Sequence, residues 1–287
     1  MLSTLFLLPA RAIDDYRLGP LSMVQAGVPK GKVTQMPALA DSKMYPGTTR
    51  DWWVYVPAQY EAGKPAALMV FQDGHDYVKA EGSWCVPTVF DNLIASGDMP
   101  VTIAVFINPG HDGKTKPSSP WRVSNRGKEY NTLGHTYARF LLEEVLPQVQ
   151  RDYQLSDDPE NWAIGGASSG AICAFTVAWE RPDKFRKVFS TIGSYVDLAG
   201  GNAYPYLIRV QERKPLRIFL QDGVNDLDNP YGNWPLATQM MFAALTYMKY
   251  DVKLELGDGQ HNSKHGGALF PEAMKWLWRK EPAAPSK

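Results

Sequence analysis

The 287-residue sequence is short of cysteine, of charge imbalance and of long apolar runs. Its two cysteines, Cys85 and Cys173, fit neither a metal-ligand spacing nor a CxxC pattern, which excludes cysteine-built metal sites and dithiol redox motifs. They read as two separate thiols; one disulfide in an oxidising compartment stays open, because sequence spacing alone does not fix the separation of their Cα atoms. Lys and Arg together number 30, as do Asp and Glu, so the formal charge is zero and there is no electrostatic footprint for nucleic acid or an anionic membrane. No segment reaches the roughly 20 apolar residues that span a bilayer. There is no fixed-period repeat, heptad run or low-complexity tract. His261 and His265 stand four apart in "HNSKHGG", but the Glu of HExxH is missing and the stretch is no helix interior. Neither a metal nor an organic cofactor is expected.

The opening "MLSTLFLLPARA" joins an apolar run to a small-residue ending, Ala10-Arg11-Ala12, without a basic n-region. Residues 1–12 are read as the remnant of a signal peptide, which predicts a periplasmic or secreted protein. Residues 13–48, rich in Gly, Pro and small polar residues, read as an irregular lead-in.

From about residue 50 the sequence alternates between two periodicities. "DWWVYVP" (51–57) is strand-like and closed by Pro57. "AALMVF" (66–71) and "VTIAVFI" (101–107) are continuous apolar runs, the pattern of strands buried on both faces. "WAIGG" (162–166), "KVFSTIG" (187–193), "PLRIFLQ" (215–221) and a core at 252–256 are further strands. Helices are predicted over 87–96, 137–149 (with Pro147 as a kink or stop), 169–180, 235–250 and 266–280, the last with Pro271 in or near its first turn. Such alternation means βαβ units and a mostly parallel sheet covered on both faces. Residues 108–133 carry little regular pattern, and an irregular stretch of that length in a compact domain is usually functional.

The chemistry centres on "GASSG" (166–170), a G-x-S-x-G with Ser168 in the middle. It follows a predicted strand and opens a predicted helix, the context the motif requires. The turn lifts the serine hydroxyl above the sheet, and the N–H of Ser169 at the helix start can receive an oxyanion. A serine hydroxyl needs a base and a group that orients the base. In chain order these should be an acid and then a histidine, each past the end of a later strand. "DGVNDLDN" supplies Asp222, Asp226 and Asp228, and "GDGQHNSKHGG" supplies His261 and His265. His261 is preferred because it lies directly past the last strand in a Gly-rich loop. Asp226 is preferred as the acid, with Asp228 the alternative, and Asp222 is read as shaping the turn with Gly223. The loop "FQDGHDY" after the strand at 66–71 offers the N–H of His75 or of Gly74 as a second oxyanion donor. Arg126 and Tyr130 of "NRGKEY" are candidate substrate contacts, one for an anionic group and the other for ring stacking. Trp84 and Trp234 are candidate cleft walls.

These segments resemble one esterase family. "RDWWVYVP", "VFQDGHDY", "SNRGKEYNTLGHTYARFLLEEVLPQV", "GGASSG", "ERPDKF", "FLQDGVNDLDN", "GQHNSKHGG" and "MKWLWRK" together look like the family that includes esterase D, enterochelin esterase and the feruloyl and acetylxylan esterases. The similarity spans about residues 45–280 and is nearest the enterochelin-esterase-like branch. "QDG" stands where feruloyl esterases carry an HG-type oxyanion loop. The resemblance implies an α/β-hydrolase fold, one domain over 49–281 with a tail at 282–287, and a triad of Ser168, Asp226 and His261. It implies a serine carboxylic-ester hydrolase acting on a small-molecule ester with a sugar, aryl or siderophore-type part. Two alternatives remain: an acyltransferase like the mycolyltransferases, and a catalytically inactive carbohydrate-binding protein on the same fold. Nothing in the sequence speaks to oligomeric state.

Overall fold

The computed structural model describes residues 14–113 and 125–280. The opening read as a signal-peptide remnant and the tail at 282–287 lie outside them. In chain order the elements are β1 (Lys32–Gln35), β2 (Trp52–Val56), β3 (Ala67–Gln72), α1 (Gly74–Tyr77), α2 (Val86–Ser96), β4 (Thr102–Ile107), α3 (Arg126–Asn131), α4 (Thr136–Phe140), α5 (Leu146–Gln150), β5 (Trp162–Ala167), α6 (Ser169–Glu180), β6 (Lys187–Thr191), α7 (Tyr204–Val210), β7 (Arg217–Gly223), the short hairpin β8 (Asp228–Asn229) and β9 (Gly232–Asn233), α8 (Trp234–Tyr247), β10 (Asp251–Gly257) and α9 (Ser263–Trp278).

Eight strands form one sheet in the order β1-β2-β4-β3-β5-β6-β7-β10. From β4 to β10 every pairing is parallel; β2 runs antiparallel to β4, and β1 antiparallel to β2. The central strands read as unbroken apolar runs because both of their faces are covered. Leu68 and Val70 of β3 face one layer, built from α4 to α8, while Ala67, Met69 and Phe71 face the other, built from α2 and α9. The period-2 alternation of side chains thus feeds two cores on either side of one sheet.

Several elements differ from the sequence reading. The lead-in at 13–48 is not wholly irregular: β1 lies within it and pairs with β2 from Lys32↔Val56 to Gln35↔Trp53. Its side chains are mostly exposed, so it carries little hydrophobic pattern. The stretch 108–133 contains α3, anchored by an ion pair between Arg50 and Glu129 (2.6 Å), both side chains fully buried. Pro147 does not stop its helix: a wider π-helical turn over Leu141–Val145 leads into α5, whose first turn tolerates a residue with no N–H. The last helix starts at Ser263, so Pro271 lies well inside it. Both cysteines are buried and unbonded, and burial pushes both thiols up, which makes them inert.

Candidate active site

The site is assembled at the C-terminal ends of four neighbouring parallel strands. β5 ends at Ala167 and α6 begins at Ser169, leaving Ser168 to make the whole turn with φ 58° and ψ −122°. A positive φ at a non-glycine residue is strained and persists only where its surroundings enforce it. Here the Ser168 N–H donates to the Thr191 carbonyl (3.0 Å), and its own carbonyl accepts from Ser194 (3.2 Å) and Ala171 (3.0 Å). The flanking glycines are required by contact: a Cβ on Gly166 would lie 2.5 Å from the backbone of Gly170. Strand and helix can touch only where both lack side chains.

The Ser168 hydroxyl oxygen lies 2.9 Å from His261 Nε2, and His261 Nδ1 lies 2.6 Å from Asp226 Oδ1. His261 sits in the loop between β10 and α9, and its side chain is 23% exposed, whereas that of Asp226 is fully covered. The ring of Trp234 packs edge-on against the imidazole at 5.8 Å. Burial acts to raise the Asp226 carboxyl, but hydrogen bonds from His261, Asp222 and the Leu227 N–H outweigh it and hold the group below the usual carboxylate value. Its neighbour Asp222, wholly buried, moves the other way. Burial, with the hydrogen bond and charge of Asp226, pushes it up to about 8 against the opposing hydrogen bonds from Thr238 and the Gly223 N–H.

The other expected residues divide. Asp228 is exposed in the β8–β9 hairpin, and the carboxylate bonded to His261 is that of Asp226. His265 is buried on α9 with Nδ1 3.0 Å from the Gln221 amide, so it turns into the core. The His75 N–H donates to Asn108 Oδ1 at 2.9 Å, which removes it as an oxyanion donor. Gly74 stays in place because its backbone presses on β4, where a Cβ would come within 2.4 Å of Phe106 and Ile107 backbone atoms. Arg126 does not present an unengaged cation to an anionic substrate: its Nε and Nη2 each donate at 2.9 Å to the carboxylate of Asp73. Asp73 itself takes φ 55°, so this fork pins a strained turn beside the serine. Tyr130 is buried, with its hydroxyl accepting the Asp73 N–H (3.1 Å), and it offers no face to a substrate ring. Trp84 borders the cleft, stacked on Tyr77 and donating its N–H to Asp76. Trp234 touches His261 and donates to Ser194.

A cleft of about 350 Å³ opens over Ser168 and His261, lined also by the apolar Trp84 and Ile192 and by the charged Asp76 and Arg126. Sequence reasoning missed Ser194, whose hydroxyl lies 3.2 Å from that of Ser168. The one signal for it was its place just past a central strand. The lead-in was missed as part of the site as well. Tyr16 hydrogen-bonds Asp258 at 2.5 Å and stacks on His265, and Asp14 receives the Asn262 amide at 2.7 Å, so these residues strap the loop that carries His261. Among the described residues no group of three or more His, Cys, Asp or Glu side chains forms a metal site. No helix among them is long and apolar enough to cross a membrane.

The family model described as "Putative esterase" matches residues 44–249, and the chain belongs to that family. It is 22% identical over 242 residues to the iron(III) enterobactin esterase of Dickeya dadantii, covering 78% of this chain and 51% of that protein. The chain spans 23–57% of the length of three curated relatives it matches. The enterobactin esterase of Shigella flexneri superposes with a TM-score of 0.67 at 20% identity, over 89% of this chain and 60% of that one. A ferulic acid esterase of Anaeromyces mucronatus superposes with a TM-score of 0.66 at 16% identity, over 91% and 95%. The fold is that of the α/β-hydrolases.

Proposed function

We propose that the chain is a serine carboxylic-ester hydrolase that works through an acyl-enzyme. One observation carries the reading: Ser168, His261 and Asp226 are joined by hydrogen bonds of 2.9 and 2.6 Å at the rim of a cleft. His261 Nε2 takes the hydroxyl proton as Ser168 Oγ attacks the ester carbonyl carbon. Asp226 holds the other ring nitrogen as the donor and stabilises the imidazolium without taking its proton. The tetrahedral oxyanion is received by the N–H of Ser169, which has no acceptor within its own helix, and by the N–H of Gly74. Imidazolium returns the proton to the departing alcohol, leaving the acyl group on Ser168. Water, deprotonated by the same imidazole, then releases the acid and regenerates the serine. No metal or organic cofactor enters any of these steps.

The substrate is a small-molecule ester with a compact acyl group. Trp84 and Ile192 in the lining suit a ring or short chain, and Asp76 and Arg126 suit hydroxyl substituents. The names of the family relatives, enterobactin and ferulic acid esterases, support an aryl, siderophore-type or sugar-linked ester. A periplasmic or secreted setting is part of the same proposal. Turnover of p-nitrophenyl acetate by the parent and by Ser168→Ala tests the mechanism. A loss of about 10⁶-fold is expected if the triad acts as a unit, and equal rates would overturn it. Product analysis with a sugar acceptor separates hydrolysis from acyl transfer.

A further inference from the structure

Asp226 presents two oxygens with different surroundings. Oδ1 lies 2.6 Å from His261 Nδ1 and accepts the Leu227 N–H at 2.5 Å. Oδ2 is buried and has no donor. A buried carboxylate oxygen without a donor costs about 1–3 kcal/mol or more, so one is expected nearby. The neighbouring side chain is Asp222, four residues earlier at the end of β7, fully buried and within hydrogen-bonding reach of the Asp226 carboxyl. Its Oδ1 accepts the Gly223 N–H at 2.8 Å and its Oδ2 accepts the Thr238 hydroxyl at 2.6 Å. Two carboxylates in contact there would repel by about 4 kcal/mol even at an effective dielectric of 20. A single proton removes the repulsion and supplies the missing donor.

We infer that Asp222 is a carboxylic acid, not a carboxylate, in the resting protein, and that it donates its proton to Oδ2 of Asp226, so that the two aspartates form one acid–carboxylate pair behind His261. The proton belongs on Asp222 because Asp226 faces the imidazole and Asp222 faces no cation that lowers it. The groups bearing on Asp222 are Asp226 from the loop after β7, Thr238 from α8 and the Gly223 N–H; the buried phenol of Tyr195, past β6, feels its charge. The upward shift of Asp222 and the downward shift of Asp226 are the titration pattern such a pair should have. Asp222 is thus a positioning residue: it fixes the rotation of Asp226 so that Oδ1 meets the imidazole, and it keeps a second negative charge away. The role in turnover rests on the triad reading above, but the proton does not.

Two measurements test this. The first is the infrared difference spectrum of parent minus Asp222→Asn. A protonated-carboxyl band is expected at pH 6 and should vanish above pH 9; subtraction removes the contributions of other buried acids. No such band, or one unchanged with pH, would overturn the inference. The second is the pH–rate profile. Asp222→Asn keeps an N–H donor that does not titrate, so kcat/KM should stay within about threefold of the parent at pH 7 and should not show the alkaline fall of the parent. Asp222→Ala, without a donor, should lose about 10–100-fold in kcat with little change in KM. Superimposable profiles of parent and Asn variant would also overturn it. A parent without esterase activity would sink the proposed function and leave the infrared result to decide the pair. Should Asp222→Asn fail to fold, the spectrum of parent minus Asp222→Ala at pH 6 and above pH 9 gives the same difference band.

Discussion

The two ends of the same parallel strands are built on opposite terms. Past the C-terminal ends of β3, β5 and β6 stand three non-glycine residues at positive φ: Asp73 (55°), Ser168 (58°) and Ile192 (44°). Gln72, Gln221 and Asp226 there carry buried side-chain oxygens without donors, as do residues elsewhere in the molecule. At the N-terminal ends, Lys187, Arg217 and Asp251 open β6, β7 and β10 and close on one another's neighbours. Arg217 and Arg279 each lie 2.6 Å from Asp251, and Lys187 pairs with Glu160 at 3.2 Å. Yet the larger cavity, about 760 Å³ against 350 Å³, lies at this paired end. Volume therefore does not locate the chemistry in this molecule. Three strained turns on adjacent strands, with the Ser168–His261–Asp226 hydrogen-bonded chain among them, mark the proposed site instead, because such strain costs stability and persists only where the surrounding fold over-determines it.

If that contrast holds, substitutions at the two ends should separate activity from stability. His261→Ala is expected to lower kcat by about 10⁶-fold while leaving the melting temperature close to the parent's; steady-state kinetics and calorimetry check both halves. Asp73→Asn breaks the fork to Arg126 and loosens the strained turn that carries Gly74. It should cost about 10²-fold in kcat, the scale of losing one oxyanion donor, and a change confined to KM would show the turn serves binding instead. At the other end, Arg217→Met removes a buried guanidinium that also donates to the Leu277 and Arg279 carbonyls at 2.8 Å. Stability should fall by about 3 kcal/mol in urea unfolding, with kcat/KM within about twofold; a large activity loss would dissolve the distinction. The smallest effect concerns pH. Because the folded value of Asp222 is raised from 3.8 to about 8, its protonated form favours the folded state fully below about pH 4, and this contribution is lost as pH rises to about 8. The urea midpoint of Asp222→Asn should accordingly decline less between pH 5 and pH 8 than the parent's.

How much of this was legible depended on whether the signal was local. The helix at 169–180 was readable to the residue, since a glycine turn, an apolar run and an arginine stop bound it in sequence. The strands at 66–71 and 101–107 were found within one residue, because burial on both faces leaves an unbroken apolar run. Strand β1 and the short helix α3 were not, since one is exposed and the other is held by the distant partners Arg50 and Asp73. In the site, Ser168, Asp226 and His261 were readable from strand order. The readings of Tyr130 as a stacking face, of His75 as an oxyanion donor and of Arg126 as a cation for an anionic group did not hold for one reason: each is engaged by a residue of a different segment, though Arg126 still lines the cleft, and no spacing rule announces such partners. Asp222 was taken for a turn residue because its burial and the orphaned oxygen beside it exist only once β7 and α8 pack together.

By itself the sequence determined the alternation of strands and helices, the tight corner at Ser168 and the order in which serine, acid and histidine follow. These depend on periodicity, on glycine and on chain direction, all properties of near neighbours. Only the tertiary structure decided which polar groups are already spoken for, which carry strain and which share a proton. Those outcomes are set by solvent exclusion and by contacts between residues tens to hundreds of positions apart, where the free energy of a charge depends on what surrounds it and not on what precedes it in the chain.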